Sequence, residues 1–598
     1  MELLSMWIHL SLLTLLLSNT SAQTTLLAAG PTDDAWTSHA NITVTWANVP
    51  PGATNTSDWI GAFLVNYNST YIQFYDITTD KSINGSAQFQ LLNGRHPYHF
   101  KLMRNNEVLT TSNVLHPNTT LPTQGHLSFV PEGVGHSNSM AISWTTATPA
   151  TPGVVQYGLS KSDLNATAMS SVDTYSADDF TTCMGIPSIP PRVVPFQNLS
   201  SRSLRCGFQC YDDPTSSEMF LHPGYLHTAT MVRLQQGTRY YYTFGSSTDI
   251  AARSPVYSFV APREEEIPSS KFTFIVTGDM GIGGIHEGEA GGATDNDPYH
   301  VHPGFPQGID NGADWVVRQG ILADSLTKND EFILVNGDIS YARGWPWIWE
   351  VFFDLVQPLT TMMPMMVSVG NHEVDSHENP FEETDGGDSG GECGVVAAKR
   401  FSAHLESPQK MYYSFTHGSI HVVVLSTEHP IAEQVAFFKQ DVKSLNRDKV
   451  PWLLVSLHRP IFISEATPAG LQKILSTTWH PLFAESGVDF VYTGHAHYYE
   501  RLCAVEMDPH NFTNTSCSKK RDRPVYIVDG TAGAEPDMKS PESKLTKYKE
   551  FGKWGYSRVL VSQNSLEMRH YAAKIGVDGS SVVLPYKMTD SVTLPRRK

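Results

Sequence analysis

Residues Lys271–Gly281 read KFTFIVTGDMG, a short β-branched and aromatic run that stops at Gly278-Asp279. The same grammar recurs along the next 260 or so residues, where apolar runs alternate with helix-like stretches. The predicted strands are Phe272–Val276, Phe332–Val335, Met365–Val369, Ile420–Leu425, Trp452–Val455, Val488–Tyr492 and Val525–Val528. The predicted helices include Ala313–Lys328, Ile431–Leu445 and Leu471–Ala484. Alternation of this kind specifies a layered α/β domain, whose ligands lie beyond the carboxyl ends of the strands.

Five of these strands run straight into a polar motif: Gly278-Asp279-Met-Gly281, Gly337-Asp338-Ile-Ser-Tyr341, Gly370-Asn371-His372-Glu373, His458-Arg459-Pro460 and Gly494-His495-Ala-His497. One Gly-Asp or Gly-His pair carries no information; five in order, each capping a strand, do. Asp279, Asp338, Tyr341, Asn371, His458, His495 and His497 together offer oxygen and imidazole donors without a thiolate. Such a set suits hard or borderline cations such as iron, manganese or zinc. Two cations about 3.5–4 Å apart need a shared carboxylate, and Asp338 is central in the motif order. Tyr341 is the informative member, because a phenolate favours a trivalent ion such as iron(III).

These five motifs resemble those of the purple acid phosphatases, in the metallophosphoesterase superfamily. The similarity spans about Phe129 to Ala534, and the Trp59-Ile-Gly-Ala-Phe63 and Gly390-Gly-Glu-Cys-Gly394 segments look like the long plant-type branch. The resemblance implies that Asp279, Asp338, Tyr341 and His497 hold iron(III). It implies that Asp338, Asn371, His458 and His495 hold a divalent ion: zinc, manganese or iron(II). His372, beside Asn371, matches a position that contacts phosphate and helps the leaving group depart. The implied activity is hydrolysis of phosphate monoesters by in-line attack of hydroxide, fastest in mild acid. A phosphodiesterase or nucleotide pyrophosphatase on the same metals, or a non-catalytic secreted binding protein, are the competing readings. One departure stands out. The shorter plant members carry a second substrate histidine about ten residues after the first ligand histidine, where this chain reads Arg459–Pro468; its next histidine is His480.

Upstream the pattern is different. Asn41–Trp46 alternates with Ile42, Val44 and Trp46 on one face, and Trp59–Val65 and Tyr98–Met103 follow it. These strands predict a β-sandwich over residues 23–121. A second, fibronectin-like sandwich over 122–262 starts at Met140–Trp144 and Val154–Gly158 and closes on a candidate tyrosine corner near Tyr240. Ala261–Ser270 reads as a linker, 271–534 as the catalytic domain, and 535–598 as a segment that completes it. The expected fold is therefore multidomain, all-β followed by an α/β/β/α metallophosphoesterase layer arrangement. Neither sandwich shows a catalytic cluster, which leaves packing, partner contact and glycan binding open.

Composition excludes several classes. Of 598 residues, 40% are hydrophobic and 17% charged, which is too apolar for a disordered chain. Asp plus Glu outnumber Lys plus Arg by 60 to 42, a net charge of −18, which argues against a general nucleic-acid partner. After the N-terminus no segment reaches the ~18 apolar residues that span a bilayer. Residues 1–22 read as a signal peptide cleaved after Ala22, so the expected location is secreted or extracellular, cell wall and vacuole included. Asn-x-Ser/Thr sequons at Asn41, Asn55, Asn68, Asn84, Asn118, Asn165, Asn198, Asn511 and Asn514 agree with export. Of the six cysteines, Cys503 and Cys517 read as a local disulfide; the connectivity of Cys183, Cys206, Cys210 and Cys393 stays open. The Gly281–Gly312 loop, with His286, His300 and His302, reads as a solvated insertion rather than a lid, and acidic Glu373–Glu392 as a hydrated loop rather than a calcium site. Small phosphate esters are the expected partners, and the oligomeric state is open, a homodimer included.

Overall fold

The structure is a computed structural model describing residues 23–597 except 31–37, 39, 52–57, 66, 78–82, 105–106, 132–137, 150–152, 182–219, 264–270, 283–312, 314, 343–345, 375–388, 390–391, 465–468, 509–510, 521, 535, 542 and 576–581. The expected leader, Asn55, Asn198, Cys183, Cys206, Cys210, His286, His300, His302 and most of the acidic Glu373–Glu392 stretch lie outside the described residues, as do the side chains of Asn68 and Asn511. The chain divides into two units, Met1–Thr119 and Thr120–Lys598.

The first unit is a pair of antiparallel sheets. Thr25–Ala29, Ala40–Ala47 and Gly85–Leu91 form one; Tyr67–Asp76, Asp58–Leu64, Tyr98–Arg104 and Glu107–Thr111 form the other. The alternation read from Ile42, Val44 and Trp46 is a burial alternation, since all three are in the core while Asn41 and Thr45 face water.

The second unit opens with another sandwich, of sheets Ser171–Asp173, Tyr225–Met231, Met140–Thr146, Thr123–Phe129 and Ala166–Met169, Val154–Gly158, Arg239–Gly245, Tyr257–Val260. Its tyrosine corner is closed by the Gln235 N–H, which donates to the Tyr240 hydroxyl at 3.1 Å. The sandwich packs against the α/β region through buried polar and aromatic contacts. Arg400 donates to Gln124 at 2.7 Å and to Glu350 at 2.9 Å, and Phe129 lies 5.5 Å from the rings of Phe332 and Phe415.

Two sheets build the α/β region. One runs Met365–Ser368, Asp330–Asn336, Phe272–Thr277, Lys553–Val561, Ser565–Ile575, Val582–Pro595; the first three are parallel and Lys553–Val561 joins antiparallel. The other runs Tyr413–His417, Ile420–Val424, Trp452–Ser456, Phe490–Thr493, Val525–Asp529, Tyr499–Asp508, Asn511–Cys517, with Thr546–Glu550 also on the Tyr499 strand. The Ser456 hydroxyl crosses between the sheets to Asn336 Oδ1 at 2.8 Å. The chain is therefore two sandwiches followed by a layered α/β fold, as its sequence implies.

Details differ from the expectations. Ala313–Lys328 is a π-helix over Trp315–Leu322 and an α-helix only over Ala323–Lys328, because apolar spacing over two turns does not distinguish i+4 from i+5 bonding. Helices at Pro346–Thr360 and Val395–Arg400 have no counterpart in the sequence reading. Cys503 and Cys517 are bonded to each other across adjacent strands, and Cys393 is also in a disulfide. Among the described residues no helix is long and apolar enough to cross a membrane.

Three core histidines make stability pH-dependent. Burial pushes the His404 imidazole down to about 3, and His227 and His480 down to about 4 each. Unfolded histidines protonate near 6.5, so the stability each contributes is complete above that pH and is lost as pH falls toward 3–4, at up to about 1.4 kcal/mol per pH unit. Among the described residues neither ring nitrogen of His404 has a hydrogen-bond partner, so His404→Phe costs no bond there. The variant should melt within a few degrees of the parent at pH 7.5 and lose less stability between pH 6.5 and 4. Parallel acid-denaturation curves for the two proteins would contradict this.

Candidate metal centre

Five parallel strands from two sheets deliver their carboxyl ends to one place. Asp279, Asp338 and Asn371 follow Phe272–Thr277, Asp330–Asn336 and Met365–Ser368; His458 and His495 follow Trp452–Ser456 and Phe490–Thr493. The turns are tight. Asp279, Asp338, Tyr341 and His495 all have left-handed backbone, with φ of 58°, 48°, 54° and 70°. For residues with a Cβ this costs roughly 1–2 kcal/mol each. Hydrogen bonds between the loops offset it: Met280 and Gly281 N–H groups donate to the Asp338 and Ile339 carbonyls at 3.0 Å, and His495 N donates to Asp279 Oδ2 at 2.9 Å. Two glycines are required by close approach. A Cβ on Gly370 would lie 2.1 Å from Asp338 Oδ1, and one on Gly494 2.3 Å from Asp279 Oδ2.

All seven sequence-predicted donors converge, in two groups. In the first, the Tyr341 hydroxyl lies 3.0 Å from Asp279 Oδ1, 3.2 Å from Asp338 Oδ2 and 2.8 Å from His497 Nε2. In the second, Asn371 Oδ1 is 3.0 Å from both His458 Nε2 and His495 Nδ1, and His458 Nε2 is 3.2 Å from Asp338 Oδ2. Asp338 belongs to both. Asp338, His458 and His495 by themselves already meet the spacing of a cation site.

The electrostatics show what the cluster lacks. Burial would push the His458 imidazole down, but the Asp338 carboxylate overrides it and raises the group to about 9. His497 is likewise raised to about 9 against its burial, by its bond to Asp279. Burial, with Asp279 and Asp338 beside it, lifts the Tyr341 phenol well above its ordinary value. Protons thus stand where positive charge is needed. The Nδ1 of His458 faces the Asn336 carbonyl at 2.9 Å and must donate to it. If the ring gives up its other proton, its Nε2 lone pair faces the Asn371 and Asp338 oxygens, an arrangement a cation would satisfy. The oxygen-rich, thiol-free donor set fits a pair of such ions sharing Asp338.

Other predicted residues fall at the rim or elsewhere. His372 packs its ring 4.4 Å from that of Tyr341, with Nε2 3.8 Å from Asp338 Oδ2 and its backbone N–H on Asp338 Oδ1 at 3.0 Å. His480 is in the core, with Nδ1 2.7 Å from the Tyr526 hydroxyl and its ring against Phe462, so it does not replace the second substrate histidine. Arg459 is tethered to Glu428 at 2.8 Å. The sequence reading gave no role to Asn336, which orients His458, or to Asp537, whose Oδ2 accepts from the His497 N–H at 2.9 Å. Neither lies in a polar motif, so only proximity reveals them.

Comparison with known proteins gives concordant matches. The family model "Purple acid Phosphatase, N-terminal domain" matches residues 122–261, and "Calcineurin-like phosphoesterase" matches 272–499. "Probable inactive purple acid phosphatase 9" of Arabidopsis thaliana is 30% identical over 400 residues, covering 60% of this chain and 56% of the relative. "Purple acid phosphatase 21" of the same plant is 27% identical over 374 residues, covering 59% of this chain and 70% of the relative. The matched part of the chain thus spans little more than half the length of the first of these curated relatives. Among solved structures, purple acid phosphatase PPD1 from yellow lupin (Lupinus luteus) seeds superposes with a TM-score of 0.71 at 21% identity, covering 96% of each chain; at that identity the likeness concerns the fold.

Gly370 offers a direct check. Gly370→Ala puts a methyl group against the shared Asp338 carboxylate, so the purified variant should retain less than about half of the metal bound by the parent while keeping its circular dichroism spectrum. Metal analysis showing equal content in the two proteins would contradict the placement of Asp338.

Proposed function

Because the chain belongs to the purple acid phosphatase family of metallophosphoesterases, we propose that it is a metal-dependent acid phosphatase acting on small phosphate monoesters. The observation that carries this reading is the convergence of two complete donor groups on one shared carboxylate, Asp338, with Tyr341 in one of them. Asp279, Asp338, Tyr341 and His497 would hold iron(III), and Asp338, Asn371, His458 and His495 a divalent ion: zinc, manganese or iron(II). Such a pair, when bound, supplies an activated water and neutralises the phosphoryl oxygens.

The residues of the chain do the rest. Asn336 fixes the His458 tautomer through its carbonyl, and Asp537 fixes the backbone beside His497. Tyr341 supports the His372 ring, which is at the rim with 13% of its side chain exposed. From there His372 donates a hydrogen bond to the phosphoryl group and gives its proton to the departing alkoxide. With His480 buried in the core, the reading assigns no second imidazole to this task. The complete donor set supports an active enzyme over a binding protein, although several relatives are named as probable inactive members. We also propose export with N-glycosylation, supported by the leader-like Met1–Ala22 and by the exposure of Asn41, Asn84, Asn165 and Asn514.

Two experiments test the reading. The purified protein should be pink to violet from phenolate-to-iron(III) charge transfer, and Tyr341→Phe should bleach it; a colourless, iron-free preparation with full activity would overturn the iron assignment. His372→Ala should lower kcat/KM about 10²–10⁴-fold on a sugar phosphate and much less on p-nitrophenyl phosphate, whose aryl oxide departs without a proton. Equal losses on both substrates would mean that His372 only binds phosphate.

A further inference from the structure

The Asp338–Tyr341 turn is the most strained part of the site, since both of its end residues are left-handed. It also carries the shared carboxylate. Directly behind it lies Glu373, a fully buried carboxylate that is absent from both donor groups. Glu373 Oε1 accepts from the Ile339 N–H at 2.7 Å, and Oε2 accepts from the Gly370 N–H at 2.9 Å. Ile339 sits between Asp338 and Tyr341, and Gly370 immediately precedes Asn371. One side chain thus bonds to the backbone of both loops that end the neighbouring strands Asp330–Asn336 and Met365–Ser368. Glu373 is itself anchored. Its N–H donates to the Gly370 carbonyl at 3.1 Å, and its carbonyl accepts from the Gly394 N–H at 2.6 Å, at the start of the Val395–Arg400 helix.

We infer that Glu373 is a positioning residue for the metal centre, whose two-pronged acceptance of backbone N–H groups holds the Asp338 and Asn371 loops at donor spacing before any ion arrives. A carboxyl group of this length suits the place, because both of its oxygens accept. An amide would turn one N–H against a backbone N–H, and a shorter acid would reach one loop but not both. Outer-shell groups that orient ligands in this way are typically worth 10–100-fold in metal affinity. The inference rests on the metal-centre reading above.

The test uses the full chain stripped of metal by a chelator and titrated with zinc(II) against a chromophoric competitor, for the parent, Glu373→Gln and Glu373→Asp. The parent should bind two ions per chain, and the variants should bind zinc about 10–100-fold more weakly. The stripped variants should nonetheless melt within a few degrees of the stripped parent, a separation that a purely structural role would not produce. Parent-like zinc affinity in either folded variant overturns the inference while leaving the metal centre intact. Weakened binding matched by a large loss of melting temperature, or failure of both variants to fold, assigns Glu373 to the core and also overturns it. A parent that binds no zinc removes the metal-centre reading itself, and this inference with it.

Discussion

Two carboxylates, Asp279 and Asp338, are buried side by side at the ends of adjacent parallel strands. Like charges in that position can be kept only if positive charge stands among them. The surroundings are arranged around this constraint. His458 and His497 are held cationic beside the acids, a tyrosine hydroxyl lies within hydrogen-bond distance of both, and backbone N–H groups from opposing loops point at their oxygens. Each of these groups stands where it would serve a bound cation, so the protonated cluster and a metal-loaded one are alternative solutions of one electrostatic problem.

Holding that problem open requires rigid walls. The strands beneath the site are buried on both faces, as the uninterrupted burial of Asp330–Asn336 and Trp452–Ser456 shows. The fibronectin-like sandwich adds a further brace. Its Gln124 meets the buried Arg400–Glu350 pair, and the Tyr242 hydroxyl donates to the Thr361 carbonyl at 2.8 Å just past the Pro346–Thr360 helix. Arg400 closes the same short helix whose preceding Gly394 bonds to Glu373. A continuous set of buried bonds therefore runs from the sandwich to the loops of the site. Because buried ion pairs cost desolvation, this interface favours one docking geometry rather than adding much stability.

Much of this was legible in the chain. Short β-branched runs ending in Gly-Asp, Gly-Asn-His and Gly-His-Ala-His marked both the strands and the candidate donors; at Gly370 and Gly494 a Cβ would meet a carboxylate, and at Gly337, whose φ is 89°, it would meet the His458 ring. Less was legible in helices. Pro346–Thr360 is almost entirely buried, so its apolar residues lie on all sides and leave no amphipathic stripe to read. The strand Lys553–Val561 pairs with Phe272–Thr277 nearly 300 residues earlier, a match no local window contains, and Ser565–Ile575 and Val582–Pro595 extend the sheet from it.

The amino-acid sequence by itself determined the order of the sandwiches and the α/β region, the strand-to-turn grammar and which seven residues are candidate donors, because those follow from residue type and short-range spacing. Only the tertiary structure decided which oxygen faces which nitrogen. It showed that Asp338 lies in both donor groups, that His480 belongs to the core, and that Asn336, Asp537 and Glu373 stand behind the site. The reason is physical: a side chain's charge and function depend on neighbours within a few ångströms, and here those neighbours come from two sheets, with bonded residues such as Asp279 and His495 separated by 216 positions in the chain.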